Sequence, residues 1–138
     1  IALWSNLSQA LADSLSSSDG YWIMVCPGNY ETNVIFSTND EVMITGMGKP
    51  PFTTTGSFSF LNDRGFVRIR ASVTTQATIE FTSGCDFVAC CNMLVEAPNA
   101  AGMAALKIGA SGAYIEDMHV KTAANTSSIG LDINNPRS

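Results

Sequence analysis

Two stretches of this chain carry one hydrophobic pattern at an offset of 25 residues. In Val88 to Val95 and in Ala113 to Val120, apolar residues hold the first, third, sixth and eighth places, and a polar residue, Asn92 or Asp117, breaks the alternation at the fifth. A fixed repeat of this size is the mark of a solenoid, in which no unit buries its apolar face alone. The same alternation runs through the rest of the chain from Tyr21 onward. Ile23 and Val25 open it, and Pro27-Gly28 turns it before Tyr30 and Glu31. Apolar pairs then recur at Val34 and Phe36, Phe58 and Phe60, Ile79 and Phe81, Leu106 and Ile108, and Leu131 and Ile133; their second members step by 24, 21, 27 and 25 residues. After a polar turn each of the first four pairs is followed by a second alternating strand: Val42 and Ile44, Val67 and Ile69, Val88 and Cys90, Ala113 and Ile115. Length variation falls in Gly48 to Gly56, Pro98 to Gly102 and Thr122 to Ser128. The third unit fits worst, because Ala71 takes a polar place and Val73 slips out of phase.

Upstream the period is helical. Asn6-Leu7-Ser8-Gln9 reads as a weak capping box, and Leu7, Ala10, Leu11 and Leu15 share one face of a helix that ends by Gly20. These patterns predict an all-β fold: a right-handed single-stranded parallel β-helix of about five coils with an N-terminal capping α-helix. The cap occupies residues 1–20 and the β-helix residues 21–138, with coils stacked about 4.8 Å apart. Phe36, Phe60, Phe81, Ile108 and Ile133 should then form one buried column. Asn92 above Asp117 should form an internal polar ladder whose side chains bond the backbone of a sharp corner.

Composition narrows the function classes. Hydrophobic residues make up 46% and charged residues 14%, so the chain is globular, and no apolar run is long enough to span a membrane. A net charge of −5 without a Lys/Arg cluster argues against nucleic acid, whose phosphates need cations. Cys26, Cys85, Cys90 and Cys91 lack metal-ligand spacing and the chain has a single histidine, His119, so neither a metal nor a cofactor is expected. Cys90 and Cys91 point to opposite faces of a strand and should stay unpaired, as suits folding in a reducing cytoplasm.

Ile23 to Glu31, reading Ile-Met-Val-Cys-Pro-Gly-Asn-Tyr-Glu after a helix and a glycine, resembles the opening coil of the pectin-lyase-like superfamily. Asn92-Met-Leu-Val and Asp117-Met-His-Val are similar to its asparagine-ladder corners. That superfamily includes pectate lyases, pectin methylesterases, polygalacturonases and bacteriophage tailspikes. The resemblance implies the fold and leaves the chemistry open, since one fold hosts many functions.

Between the inward pairs, Ile35, Ser59, Glu80, Lys107 and Asp132 should form an outward column. Glu80 and Asp132, two coils and roughly 9.6 Å apart, are the weak catalytic candidates, close to the separation of an inverting glycosidase pair. Lys107 between them makes a solvated ion ladder the simpler reading and would keep both carboxylates ionised, where a general acid needs a raised pKa. Arg68 and Arg70 share an outward face without acids clearly opposite; Asp63-Arg64 and Thr53-Thr54-Thr55 read as turn and loop; His119 faces outward. Ile35, Met43, Phe87, Leu94 and Tyr114 fall on positions a lone β-helix exposes, and their recurrence marks an interface.

The expectation is a non-enzymatic structural or adhesion module of a virion, similar to phage tailspike, fibre or capsid-decoration proteins and folded in a host cytoplasm. It would be a homotrimer that contacts other virion proteins and a surface polysaccharide. The alternatives are the first coils of a polysaccharide lyase or glycoside hydrolase, and a secreted or cell-surface adhesin. Beyond Leu131-Asp132-Ile133 the given sequence offers no cover for an open end, so either more chain or a partner is expected there.

Overall fold

The computed structural model describes residues 7, 9–10, 20–37, 41–48, 66–124 and 127–134. Its delineated elements are ten strands: β1 (Tyr21–Val25), β2 (Gly28–Glu31), β3 (Val34–Phe36), β4 (Glu41–Gly46), β5 (Val67–Arg70), β6 (Ile79–Phe81), β7 (Phe87–Glu96), β8 (Ala104–Ile108), β9 (Gly112–Lys121) and β10 (Ile129–Ile133). All pairings among them are parallel. One sheet has six strands in the order β1-β4-β7-β5-β2, with β9 also on β7, and the other has four in the order β10-β8-β6-β3.

This corrects the expected architecture. The strands form parallel sheets with a half-barrel curl, and they do not show a closed right-handed β-helix of about five coils with a capping α-helix. No helix is among the delineated elements; Leu7, Gln9 and Ala10 are helical as isolated described positions, and most of residues 1–20 lie outside the described ones. The count of five fails for a physical reason. A period of two fits any place in any sheet, so alternation alone cannot say which strand neighbours which. Phe36 pairs directly with Phe81, and Val42 and Ile44 pair directly with Val88 and Cys90. Val67 and Ile69, expected between those last two strands, lie instead between β2 and the second half of β7.

The core lies between the two sheets. Phe36 and Phe81 are fully buried and their rings stack with centroids 4.9 Å apart, and Ile79, Leu106 and Ile108 continue the buried wall. Burying a side chain of this size contributes about 1.5–3 kcal/mol. The expected column is corrected at its end, because Ile133 is 63% exposed; Phe60 lies outside the described residues.

Two sharp corners shape the long strands. Asn92 and Asp117 adopt φ of 58° and 50°, in the left-handed region that Asn and Asp tolerate better than other non-glycine residues. Each lets a ten-residue strand turn, so that β7 pairs first with β4 and then with β5. Their register neighbours Cys91 with Glu116 and Met93 with Met118 set Asn92 over Asp117. Gly46 meets the same corner: a Cβ there would lie 2.1 Å from the Asn92 carbonyl oxygen, so only glycine fits. The Asn92 Oδ1 is buried and accepts no hydrogen bond among the described residues.

Candidate functional site

Strand register brings charged side chains into two outward columns. The first is Ile35, Glu80, Lys107 and Asp132, each in register with the next. The Lys107 Nζ lies 2.8 Å from the Glu80 Oε1. The hydrogen bond and charge of Glu80, helped by Asp132 and opposed by desolvation, hold the lysine's pKa above its ordinary value. The two carboxylates thus flank a cation two strand spacings across, as the sequence arrangement implied. Ser59 lies outside the described residues, as do Asp63-Arg64 and Thr53-Thr54-Thr55.

The second column is Glu31, Arg70, Glu96 and Lys121, an unbroken alternation of sign. Arg70 meets Glu31 at 3.2 Å, and Glu96 accepts from Arg68 at 2.7 Å and from Lys121 at 3.3 Å. This corrects the reading of Arg68 and Arg70 as lacking opposed acids. Once β5 moves to its true place, Glu31 and Glu96 become the register partners of Arg70. Glu96 is the hub: its side chain is only 14% exposed, and the buried Thr78 hydroxyl donates to its backbone carbonyl at 2.6 Å.

Above this ladder lies a groove of about 660 Å³ that includes Glu31, Arg70, Ser72, Glu96, Asn99 and Lys121. One wall is the loop from Ala71 to Ala77, held by a residue that the sequence pattern left unnoticed. The Asn33 Oδ1 accepts from the Ser72 and Val73 backbone N–H groups at 2.7 and 2.9 Å and from the Ser72 hydroxyl at 3.0 Å. Its Nδ2 donates to the carbonyls of Gln76 and Ala77 at 3.2 and 2.9 Å. One amide side chain therefore stands in for the strand pairing that the loop lacks. The poor phase of Ala71 and Val73 was its only trace in the sequence.

The five interface candidates separate. Phe87 and Tyr114 are 47% and 49% exposed, and Ile35 and Met43 are half-buried. Leu94 is fully buried, which corrects its placement among exposed positions. Its register partner is Arg68, whose guanidinium reaches on to Glu96, and stems of such length cover apolar surface. Sequence reasoning missed Trp22 and Met24, 65% and 55% exposed, although they are the outward members of an alternating strand. Trp22, Met43, Ala89 and Tyr114 occupy one column across β1, β4, β7 and β9. The Tyr114 hydroxyl donates to Glu116 at 3.0 Å.

All four cysteines are free thiols, with Cys26 exposed and the other three buried. Burial, and then the neighbouring Cys91, push the Cys90 thiol far up, so it is a poor nucleophile. No protein-family model, curated protein or solved structure matches this chain.

Proposed function

We propose that this chain is a non-enzymatic structural and adhesion module of a virion, of the tailspike, fibre or capsid-decoration kind, and that it works as a homotrimer. The observation that carries the reading is the outward face of the six-stranded sheet. Trp22, Met24, Phe87 and Tyr114 are each about half exposed or more, and Met43 continues the column. Large apolar groups gathered on one sheet face mark an interaction surface, where scattered ones would not. A cyclic trimer buries them without leaving an open, polymerising contact. For adhesion, the groove over the Glu31–Lys121 ladder offers hydroxyl, amide and charged groups suited to a surface polysaccharide.

Sedimentation equilibrium tests the reading. The chain should sediment as a trimer, and the double variant Trp22→Ser/Tyr114→Ser should sediment as a folded monomer. A wild-type monomer, or a trimer indifferent to both substitutions, would remove the support.

A second reading, the N-terminal part of a polysaccharide lyase or glycoside hydrolase, draws on the placement of Glu80 and Asp132 on either side of Lys107. On the primary reading Glu80→Gln leaves any polysaccharide-degrading activity of the assembled particle unchanged. A large loss of turnover with the fold intact would favour the enzyme.

A further inference from the structure

The outward face at the end of β1 and β4 is rich in sulfur. Met24 and Met47 are 55% and 46% exposed, and Cys26 beside them is exposed too. Neither methionine fills the core, where that side chain ordinarily contributes. The parallel pairing of β1 with β4 runs one step past its last register pair: the Met47 backbone N–H donates to the Val25 carbonyl at 2.8 Å. Cys26 and Met47 are therefore neighbours across the sheet, with their sulfurs 4.0 Å apart. The Cys26 backbone is held in turn by the Tyr30 hydroxyl, which donates to its carbonyl at 2.8 Å. Met24 precedes Cys26 by two residues, so strand alternation puts it on the same outward face.

We propose that Cys26, Met47 and Met24 bind a soft monovalent cation of the Cu(I) class. Thiolate and thioether sulfurs select Cu(I) over harder ions. Metal–sulfur bonds of about 2.3 Å to two sulfurs 4.0 Å apart subtend an angle of about 120°, that of a trigonal site. The third corner is left to Met24, whose unbranched side chain reaches it by rotation about its own bonds. The Cys26 thiol releases its proton to solvent as the metal–sulfur bond forms, and no oxidation state changes. Among the described residues no group of three or more His, Cys, Asp or Glu is placed to hold a metal, so a harder ion such as Zn(II) has no such cluster to occupy. The spacing of cysteines and histidine in the sequence gave no sign of this site, because two of its three donors are methionines. It is independent of the trimer reading: Trp22 and Met43 lie four residues back, about 13 Å along the strands.

The full chain, reduced and kept under nitrogen, is titrated into Cu(I) held by the coloured chelator bicinchoninate, and the loss of colour reports the affinity. One equivalent should be withdrawn per chain, and excess Zn(II) should not displace it. Cys26→Ser should abolish the withdrawal, since the other three thiols are buried. Met47→Leu and Met24→Leu should each weaken it about tenfold. All three side chains are exposed, so these variants keep the fold, which circular dichroism checks. In denaturant the wild type and Met47→Leu should become equal, because only the paired strands bring the two sulfurs together. Failure of the wild type to compete with the chelator overturns the proposal, as does withdrawal that survives Cys26→Ser. So does binding that neither methionine substitution weakens, because that result leaves the thiol acting alone.

Discussion

The first and last layers of the two sheets are built from the same kinds of residue and meet different fates. Ile23, Val34 and Phe36 are 7%, 5% and 0% exposed, while Ile115, Leu131 and Ile133 stand at 36%, 43% and 63%. The pairs Ile23 with Ile115, Val34 with Leu131 and Phe36 with Ile133 belong to the same inward columns. Membership of a column is thus written in the local alternation, but burial is decided by what stacks on either side. Leu7, outside the sheets, belongs to the same buried cluster as Ile23, Val34 and Phe36, and Ile115, Leu131 and Ile133 are not members of it.

That contrast can be broken by substitution within one column. Phe81→Ala, in the middle, should cost about 3–5 kcal/mol by chemical denaturation, whereas Ile133→Ala at its exposed end should stay within about 0.5 kcal/mol. Equal losses would mean that the last layer is covered in solution. Gly46→Ala tests the corner that both long strands depend on. The added Cβ meets the Asn92 carbonyl, so destabilisation of about 1–3 kcal/mol is expected, and a neutral result would show that the corner can shift.

Asn33→Ala should come next, at about 2 kcal/mol, because it releases donors and acceptors of the 71–77 loop together. The loss should be accompanied by faster proteolysis within that loop; a stable, protease-resistant variant would show that the loop holds itself.

The smallest effect is electrostatic. The Lys107 pKa is raised by Glu80, so the folded state holds that proton more tightly than the unfolded one. Its contribution to stability is complete below the unfolded lysine value of about 10.4 and is lost as pH rises through the folded value. Tyr30 and Tyr114 also have raised pKa values and weaken the fold in the same alkaline range. The wild type should therefore be compared with Glu80→Gln: their stability difference should shrink above pH of about 10.4. A difference that is constant with pH would show that the pair contributes nothing.

Much of this could be read from the chain, and the misses share one cause. Alternation located the strands around Val34, Val42, Ile79, Val88, Leu106, Ala113 and Leu131, and the off-pattern Asn92 and Asp117 fell at the two corners. The outward order of Glu80, Lys107 and Asp132 followed from the same alternation. What failed was adjacency. Assigning Val67 and Ile69 to the column of Val42 hid the contacts of Arg68 and Arg70 with Glu96 and Glu31, and with them the groove. Leu94 was misplaced because periodicity gives the direction of a side chain and not its cover, and its register neighbours, Arg68 and His119, belong to other strands. Asn33 left no periodic signal, since its work is done by hydrogen bonds to a loop 40 residues away in sequence.

The difference between the covered first layer and the open last layer is tested most directly by hydrogen–deuterium exchange on the chain alone. Amides of Ala104 to Ile108 should be strongly protected, and those of Ile129 to Ile133, where Ile129, Leu131 and Ile133 are exposed, should exchange orders of magnitude faster. Those of Val34 to Phe36, also an end strand among the described ones but with Val34 and Phe36 buried, should lie closer to the interior. Protection of Ile129 to Ile133 equal to that of Ala104 to Ile108 would contradict the account.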